Sequence, residues 1–103
     1  MTAEPISERS TEEFYDELES SYNDIIYRCA PRYDEMQMTM VDYVPNDLQP
    51  LRILDLGCGT GNLTLRVLEA FPEAEVVALD LSAEILDVCR RQCGTDRVSY
   101  LQQ

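Results

Sequence analysis

The amino-acid sequence predicts an α/β fold in which a parallel βαβαβ sheet follows two amphipathic helices. From residue 51 onward, short apolar runs of strand length alternate with helical patterns, and this order is typical of a parallel sheet with right-handed crossovers. Before residue 51, apolar residues recur every three or four positions, as they do on one face of a helix. A turn-rich linker separates the two patterns.

Three segments are predicted along the chain. Residues 1–10 lack periodicity and form a flexible terminus. Residues 11–50 form a helical cap or lid that ends in the linker P-N-D-L-Q-P, and residues 51–103 form the βαβαβ core. A chain of 103 residues is long enough for one small domain at most.

The first helix is predicted to begin at Ser10 or Thr11 and to end near Ala30. Serine and threonine are good amino-terminal caps, and Pro31 interrupts the helical pattern. Its first turn is acidic, which suits the positive end of the helix dipole. The predicted apolar face consists of Phe14, Leu18, Tyr22, Ile25, Ile26 and Cys29.

A second helix is predicted from residue 32 to residue 43. Its predicted apolar face consists of Tyr33, Met36, Met40 and Val44. The methionines Met36, Met38 and Met40 fit two interpretations, as core residues that fill gaps or as an adaptable lid over a substrate. We expect the first, because thioethers pack well on irregular surfaces.

Strands and helices alternate in the predicted core. The strands cover residues 51–56, 75–80 and 97–102, and the helices cover residues 62–70 and 83–92. Thr60 and Ser82 each precede a helix and are expected to cap it. Gly94 is expected to end the second helix, since glycine readily adopts the positive φ that a helix end requires.

A glycine-rich turn joins the first strand to the next helix, in the stretch I-L-D-L-G-C-G-T-G (residues 53–61). Gly57, Gly59 and Gly61 carry no Cβ, so a ligand can lie almost against the main chain. Free N–H groups at the start of the following helix point into the same space. Cys58 is expected to line this space through its main chain, because the sequence has no histidine to activate its thiol. The turn therefore predicts a small-molecule site.

The dinucleotide fingerprint G-x-G-x-x-G is the nearest alternative interpretation of this turn. The spacing here is G-x-G-x-G, and Asn62 stands where the fingerprint has its third glycine. This difference disfavours a nicotinamide-dependent oxidoreductase, although Asp80 follows at a distance that suits an acid binding a ribose.

The turn and the acid that follows it resemble the class I S-adenosylmethionine-dependent methyltransferases. The first motif of that family is a strand that ends in an acid and continues into G-x-G-x-G, as Asp55, Gly57, Gly59 and Gly61 do. The second motif is an acid at the end of the next strand, which Asp80 in V-V-A-L-D-L-S matches. The resemblance implies a Rossmann-like fold, S-adenosyl-L-methionine as the methyl donor and S-adenosylhomocysteine as the product.

Parallel strands bring their carboxyl ends together, so the turn and Asp80 are expected to lie side by side. In such a site Asp80 binds the ribose, Leu81 or Leu79 lies against the adenine, and Asp55 receives the ammonium of the methionine part. Each acid also has a local explanation, since Asp80 is a candidate helix cap and Asp55 a candidate partner for N–H groups of the turn. Together, at the family spacing, the two acids favour the cofactor interpretation.

The stretch C-A-P-R-Y-D-E-M at residues 29–36 resembles one branch of this family. That branch includes enzymes that act on carboxylated S-adenosylmethionine or on the wobble uridine of tRNA, and a tyrosine after a proline contacts the cofactor there. The resemblance implies a cofactor contact for Tyr33, and packing of a helix-start residue on the sheet explains it equally well. No catalytic residue is predicted. Tyr22, Tyr27 and Tyr33 are the candidates for contact with the acceptor.

Charge and hydropathy limit the classes of partner. Twenty acidic and eight basic residues give a net charge of -12, which disfavours nucleic-acid binding by this segment. No apolar run has transmembrane length and residues 1–10 lack a signal-peptide pattern, so a cytoplasmic protein without a membrane partner is expected. No C-x-x-C pair is present, so no metal site is expected. Cys89 and Cys93 are expected to face the core as small apolar residues.

The resembling family continues beyond the third strand, whereas this sequence ends at Gln103. The core is therefore expected to be incomplete, either as the amino-terminal portion of a longer methyltransferase or as a truncated product that assembles with itself. Residues 52–56 would then form an apolar, exposed sheet edge, which promotes association. We expect a homo-oligomer or a partner chain to cover it. The alternative function is a noncatalytic pseudoenzyme that keeps the fold and binds a partner chain.

Overall fold

Four helices and three strands make up the part of the chain that the computed structural model describes, residues 10–45, 47–49 and 52–103. In chain order they are α1 (Thr11–Cys29), α2 (Tyr33–Asp42), β1 (Arg52–Leu56), α3 (Asn62–Ala70), β2 (Glu75–Asp80), α4 (Ala83–Cys93) and β3 (Val98–Gln102). All the predicted elements are present with nearly the predicted bounds. Apart from Ser10, the predicted flexible terminus lies outside the described residues, as does Leu51. None of the described helices has the length and apolar character needed to cross a membrane.

The three strands form one parallel sheet in the order β1-β2-β3. Arg52 pairs with Glu75 at the start of β1, and Val76 pairs with Val98 at the start of β3. Parallel pairing aligns the carboxyl ends of the strands at one end of the sheet. The predicted α/β fold with a Rossmann-like parallel sheet is confirmed.

The core lies on the face of the sheet that α3 and α4 cover. Along β2, Val76 and Ala78 are buried, whereas Val77 between them is exposed, so the two faces of the strand differ. The core cluster joins the two buried residues to Cys58, Leu68, Leu86, Cys89 and Val98. Cys89 is fully buried and Cys93 packs against the cluster, which confirms the prediction that both face the core.

The opposite face of the sheet is exposed in the described part of the chain. On β1, Leu54 is 57% exposed and Leu56 is 69% exposed, and Val77 and Leu101 extend this apolar surface. β1 is also an outer strand of the described sheet. The predicted apolar, exposed edge at residues 52–56 is therefore confirmed, and its covering by another chain stays a prediction.

α1 begins at the predicted cap. The Ser10 hydroxyl accepts a hydrogen bond from the Glu13 N–H at 3.1 Å, and the Glu13 carboxylate accepts one from the Ser10 N–H at 3.2 Å. This reciprocal pair is a capping box, which satisfies two main-chain donors that the helix itself leaves free. The helix start is therefore encoded locally.

The last turns of α1 do not bury the predicted apolar face. Ile25 is 59% exposed and Cys29 is exposed, so the prediction for these two residues is wrong. The reason is that α1 contacts α4 through its first half, where Tyr15 donates to the Asp87 carboxylate at 2.7 Å. α1 buries no residue fully.

α2 buries a polar side chain instead of its methionines. Met36, Met38 and Met40 are 51%, 53% and 52% exposed, so the prediction that they fill the core is wrong. Of the predicted apolar face, Tyr33 and Val44 are half-buried, and only the two methionines are exposed. Gln37 is buried, and its Oε1 accepts from Arg66 Nε at 3.0 Å. A partner on α3 therefore orients α2, and each methionine keeps about half of its side chain exposed.

Of the two predicted caps in the core, Ser82 is confirmed and Thr60 is wrong. The Ser82 hydroxyl accepts from a main-chain N–H in the first turn of α4 at 3.2 Å. α3 begins after Gly61 with no side-chain cap, and the buried Thr60 donates its hydroxyl to Asn23 Oδ1 at 3.3 Å. Because its hydroxyl is bonded to Asn23 of α1, Thr60 does not cap α3. Gly94 ends α4 with a φ of +74°, as predicted.

Gly61 packs directly on α4. Its φ is +95°, and a Cβ at this position would lie 2.7 Å from Cys89 Sγ and 2.8 Å from Cys93 Sγ. The Cys93 thiol also donates to the Gly61 carbonyl at 3.5 Å. Glycine alone tolerates both the positive φ and this close approach. The two cysteines therefore hold the end of the turn against the core.

Arg97 caps the carboxyl-terminal end of α3 from the residue before β3. Its Nη1 donates to the carbonyls of Phe71 and Ala74 at 2.9 and 3.1 Å, and its Nη2 donates to the Leu68 carbonyl at 2.8 Å. A cation at this end of a helix also complements the helix dipole. One side chain thus ties α3 to the third strand.

We expect Arg97→Ala to lower the free energy of unfolding by about 2 kcal/mol, because three carbonyls lose a charged donor. Urea unfolding followed by circular dichroism measures the change. Arg28→Ala is the control, since Arg28 and Asp24 form an exposed pair at 3.2 Å whose loss is expected to cost less than about 0.5 kcal/mol. Equal losses in the free energy of unfolding for the two substitutions would contradict the role of Arg97 as the cap of α3.

Gly61→Ala is expected to destabilise the fold by about 2 kcal/mol more than Gly57→Ala does. Both glycines have positive φ, so both substitutions strain the main chain. Only the Gly61 substitution drives a methyl group into two sulfur atoms, since a Cβ on Gly57 would meet no atom within 4 Å. Urea unfolding of the two variants in parallel tests this difference. A larger loss for Gly57→Ala would show that packing against α4 is unimportant.

Candidate functional site

The glycine turn and the end of β2 lie side by side, as the strand order predicted. Asp80 Oδ2 accepts a hydrogen bond from the Gly59 N–H at 3.0 Å, and its Oδ1 accepts one from the Ser82 N–H at 3.1 Å. One oxygen therefore holds the turn and the other holds the start of α4. Asp80 is therefore not the cap of α4, which is Ser82, but it accepts from the N–H of that cap residue while lying next to the turn.

Asp55 lies near the end of β1, where its carboxylate is half-buried. Its Oδ2 accepts from the Thr64 hydroxyl of α3 at 2.5 Å, so a side chain, and not the N–H groups of the turn, is its hydrogen-bond partner. Burial raises the pKa of Asp55, the Thr64 hydrogen bond partly opposes the rise, and the Asp80 charge adds to it. The two carboxylates give this end of the sheet a negative potential that suits a cationic ligand group.

The three glycines of the turn meet different surroundings. A Cβ on Gly57 would project into open space, whereas a Cβ on Gly59 would collide with the hydroxyl of Tyr22. Gly61 packs on the sulfur atoms of α4. The space that remains for a ligand therefore lies at Gly57, two residues before the glycine that Tyr22 contacts.

Cys58 is not a reactive group. Its thiol is buried, and burial is the main cause that raises its pKa to about 12, so it stays protonated at neutral pH. Its N–H donates to the Leu79 carbonyl at 3.0 Å and its carbonyl accepts from the Gly61 N–H at 3.1 Å. Its predicted contact with a ligand therefore stays a prediction that rests on position alone. In the described ranges, no three metal-ligating side chains are arranged to hold an ion.

Leu81 and Tyr33 both remain candidates for contact with a cofactor. Leu81 directly follows Asp80, and its side chain is 81% exposed. Tyr33 is half-buried at the start of α2, with its ring 5.3 Å from the ring of Tyr27 in an edge-to-face arrangement. Its phenol lies close enough to Tyr22 to influence that group electrostatically. Their contacts with a cofactor stay predictions.

A polar network that sequence reasoning missed joins α1 and α4 to the turn. Asn23 Oδ1 accepts from Asn62 Nδ2 at 2.9 Å and from the Thr60 hydroxyl at 3.3 Å. Gln92 Nε2 donates to the Thr60 carbonyl and to Asn62 Oδ1, both at 3.2 Å. The four residues come from separate elements, so no local pattern connects them. They hold the end of the turn from two helices.

Comparison with known proteins assigns this region to a family. A family model described as a methyltransferase domain matches residues 53–103. Malonyl-[acyl-carrier protein] O-methyltransferase of Priestia megaterium is 35% identical over 75 residues, which cover 67% of this chain and 27% of that protein. Carboxy-S-adenosyl-L-methionine synthase of Nitratiruptor is 37% identical over 86 residues, which cover 82% of this chain and 35% of that protein. The chain thus spans only 27% and 35% of the length of these relatives.

Solved structures agree with this assignment. The DhpI-SAH complex is 27% identical with a TM-score of 0.62, and the match covers 87% of this chain and 41% of that chain. An S-adenosylmethionine-dependent methyltransferase from Geobacter sulfurreducens in complex with S-adenosyl-L-homocysteine is 22% identical with a TM-score of 0.56, covers 67% of this chain and 28% of that one, and shows the shared fold. The glycine turn, the acid that follows it, the parallel sheet and these matches show that the chain belongs to the class I S-adenosylmethionine-dependent methyltransferase family.

Proposed function

We propose that this chain forms the cofactor-binding portion of an S-adenosylmethionine-dependent methyltransferase. The observation that carries the proposal is the hydrogen bond from the Gly59 N–H to the Asp80 carboxylate, because it joins the two family motifs into one site. The open space at Gly57 supports it, since a ligand there can lie against the main chain.

The residues at the turn fit S-adenosyl-L-methionine group by group. We assign Asp80 to the ribose, because a carboxylate has lone pairs left after accepting two N–H groups. We assign the exposed Leu81 to the adenine and the half-buried Asp55 to the ammonium of the methionine part. Gly57 leaves the main chain bare, and Tyr33 closes the site from α2.

S-adenosyl-L-methionine supplies a methyl group on a sulfonium, which a nucleophilic acceptor displaces in line. The part of this chain in that reaction is to bind and orient the donor through the turn and the two acids. The helices α1 and α2, which form the predicted cap, exclude water from the donor. This division leaves acceptor activation to residues outside the assigned site.

The similar proteins carry names for different reactions, an O-methyltransferase and a carboxy-S-adenosyl-L-methionine synthase. Both nevertheless match most of this chain, including the glycine turn within the methyltransferase domain. A segment that proteins of different activity share supports a common donor site and not a common acceptor. We therefore propose binding of the donor, with an acceptor that this segment does not specify.

Calorimetric titration with S-adenosylhomocysteine is expected to show binding in the range of about 1–100 µM. Asp80→Ala is expected to weaken it by about 100-fold, because the ribose loses its acceptor and Gly59 loses the group that holds the turn. Asp96→Ala, which removes one negative charge from the loop before β3, is the control and is expected to keep the affinity.

Two outcomes would contradict this assignment. Full affinity in Asp80→Ala would exclude a role for this carboxylate in binding the ribose or holding the turn. Tighter binding of NAD than of S-adenosylhomocysteine by the unsubstituted chain would favour a nicotinamide-dependent enzyme instead.

Asp55→Asn is expected to stabilise the fold and to weaken binding of S-adenosyl-L-methionine. Burial raises the pKa of Asp55 in the folded chain, so its ionisation opposes folding at neutral pH, and an amide of the same shape still accepts from Thr64. The gain should be present at pH 7 and shrink as the pH falls, because the folded wild type takes up this proton before the unfolded chain does. Urea unfolding from about pH 7 to about pH 4, with titration at pH 7, measures both effects. A less stable variant at pH 7 would contradict the prediction.

A further inference from the structure

Tyr22 of α1 forms one wall of the space at the glycine turn. Its hydroxyl lies so close to Gly59 that a Cβ there would collide with it, and two ring carbons would lie 2.9 and 3.3 Å from that Cβ. At Gly57 a Cβ would meet nothing within 4 Å. Gly57 stands two residues before Gly59 in the same turn, so a small molecule that extends from Gly57 along the turn to Gly59 meets the phenol of Tyr22.

The Tyr22 hydroxyl differs from the other tyrosine hydroxyls of α1, which are already hydrogen-bonded. Tyr15 donates to Asp87 at 2.7 Å, and Tyr27 donates to Asp34 at 2.8 Å. Across residues 10–45, 47–49 and 52–103, no hydrogen bond occupies the hydroxyl of Tyr22. It is therefore available to a ligand at the turn.

Tyr22 is a hydrogen-bond donor at neutral pH. Burial is the largest cause that raises its pKa, and the nearby Tyr33, Asp80 and Cys58 add to the rise. A phenol whose pKa is raised keeps its proton, and a protonated phenol donates well to an anion. The site therefore contains a neutral donor among acidic neighbours.

The amino acid part of S-adenosyl-L-methionine carries an ammonium and a carboxylate, and the electrostatic potential of the site affects these two groups in opposite ways. Asp55 and Asp80 attract the ammonium and repel the carboxylate. The sequence has no lysine. In the described part of the chain, no arginine contributes to the pKa shift of Asp55 or of Tyr22. A carboxylate bound here therefore depends on neutral donors, which are main-chain N–H groups and phenols.

We propose that the Tyr22 hydroxyl donates a hydrogen bond to the carboxylate of the amino acid part of the cofactor. This inference rests on the proposed binding of S-adenosyl compounds. Tyr22 then selects ligands that carry the carboxylate, and it couples the cap helix α1 to occupation of the turn.

The test compares two ligands on two variants. S-adenosylhomocysteine carries the carboxylate, and 5′-(3-aminopropylthio)-5′-deoxyadenosine keeps the adenosine, sulfur and ammonium but lacks it. Tyr22→Phe is expected to weaken S-adenosylhomocysteine by about tenfold, as the loss of a hydrogen bond to a charged group does. Its affinity for the analogue, measured by competition, is expected to stay within about twofold. Tyr27→Phe, on the same helix, is the matched control and should bind both ligands as the wild type does.

The possible results separate this inference from the proposed function. A wild-type chain that is folded and binds neither ligand overturns both. Wild-type binding of S-adenosylhomocysteine with no change in Tyr22→Phe overturns the inference alone. Equal weakening of both ligands by Tyr22→Phe also overturns it, because that result indicates a structural role of the side chain and not a contact with the carboxylate.

Discussion

The hydrogen bond between the Gly59 N–H and the Asp80 carboxylate is the interaction on which the candidate site depends. Its partners are 21 positions apart in the chain, and the parallel pairing of β1 with β2 brings them together. Register matters in this arrangement, because a slip of one residue would turn Asp55 from the covered face of the sheet to the exposed face. Strand pairing therefore positions both acids and the turn at once.

α1 completes the site from outside the sheet. It reaches the turn through Tyr22, which lies at Gly59, and through Asn23, which bonds to Thr60 and Asn62. No residue of α1 is fully buried, so polar contacts supply much of its attachment to the rest of the protein. A helix held in this way separates from the core at lower cost than α3 or α4 does. This property suits the predicted cap or lid.

The positive and negative side chains of this protein have different roles. Several arginines have structural partners, as Arg66 does with Gln37 and Arg97 with three carbonyls at the end of α3. The carboxylates of Asp55 and Asp80 remain at the turn, where they suit a ligand that carries a positive charge. The charge at the candidate site thus has the same sign as the net charge of -12.

The sequence by itself determined the α/β fold, the bounds of its elements and the meeting of the turn with Asp80, because periodicity, caps and strand order encode these features. Only the tertiary structure decided that Gln37 is buried while the methionines of α2 are exposed, and that the Thr60 hydroxyl donates to Asn23 of α1. The places of Tyr22 at Gly59 and of Arg97 at the end of α3 were decided in the same way. The physical reason is that these arrangements depend on partners from distant elements, which a local pattern does not contain.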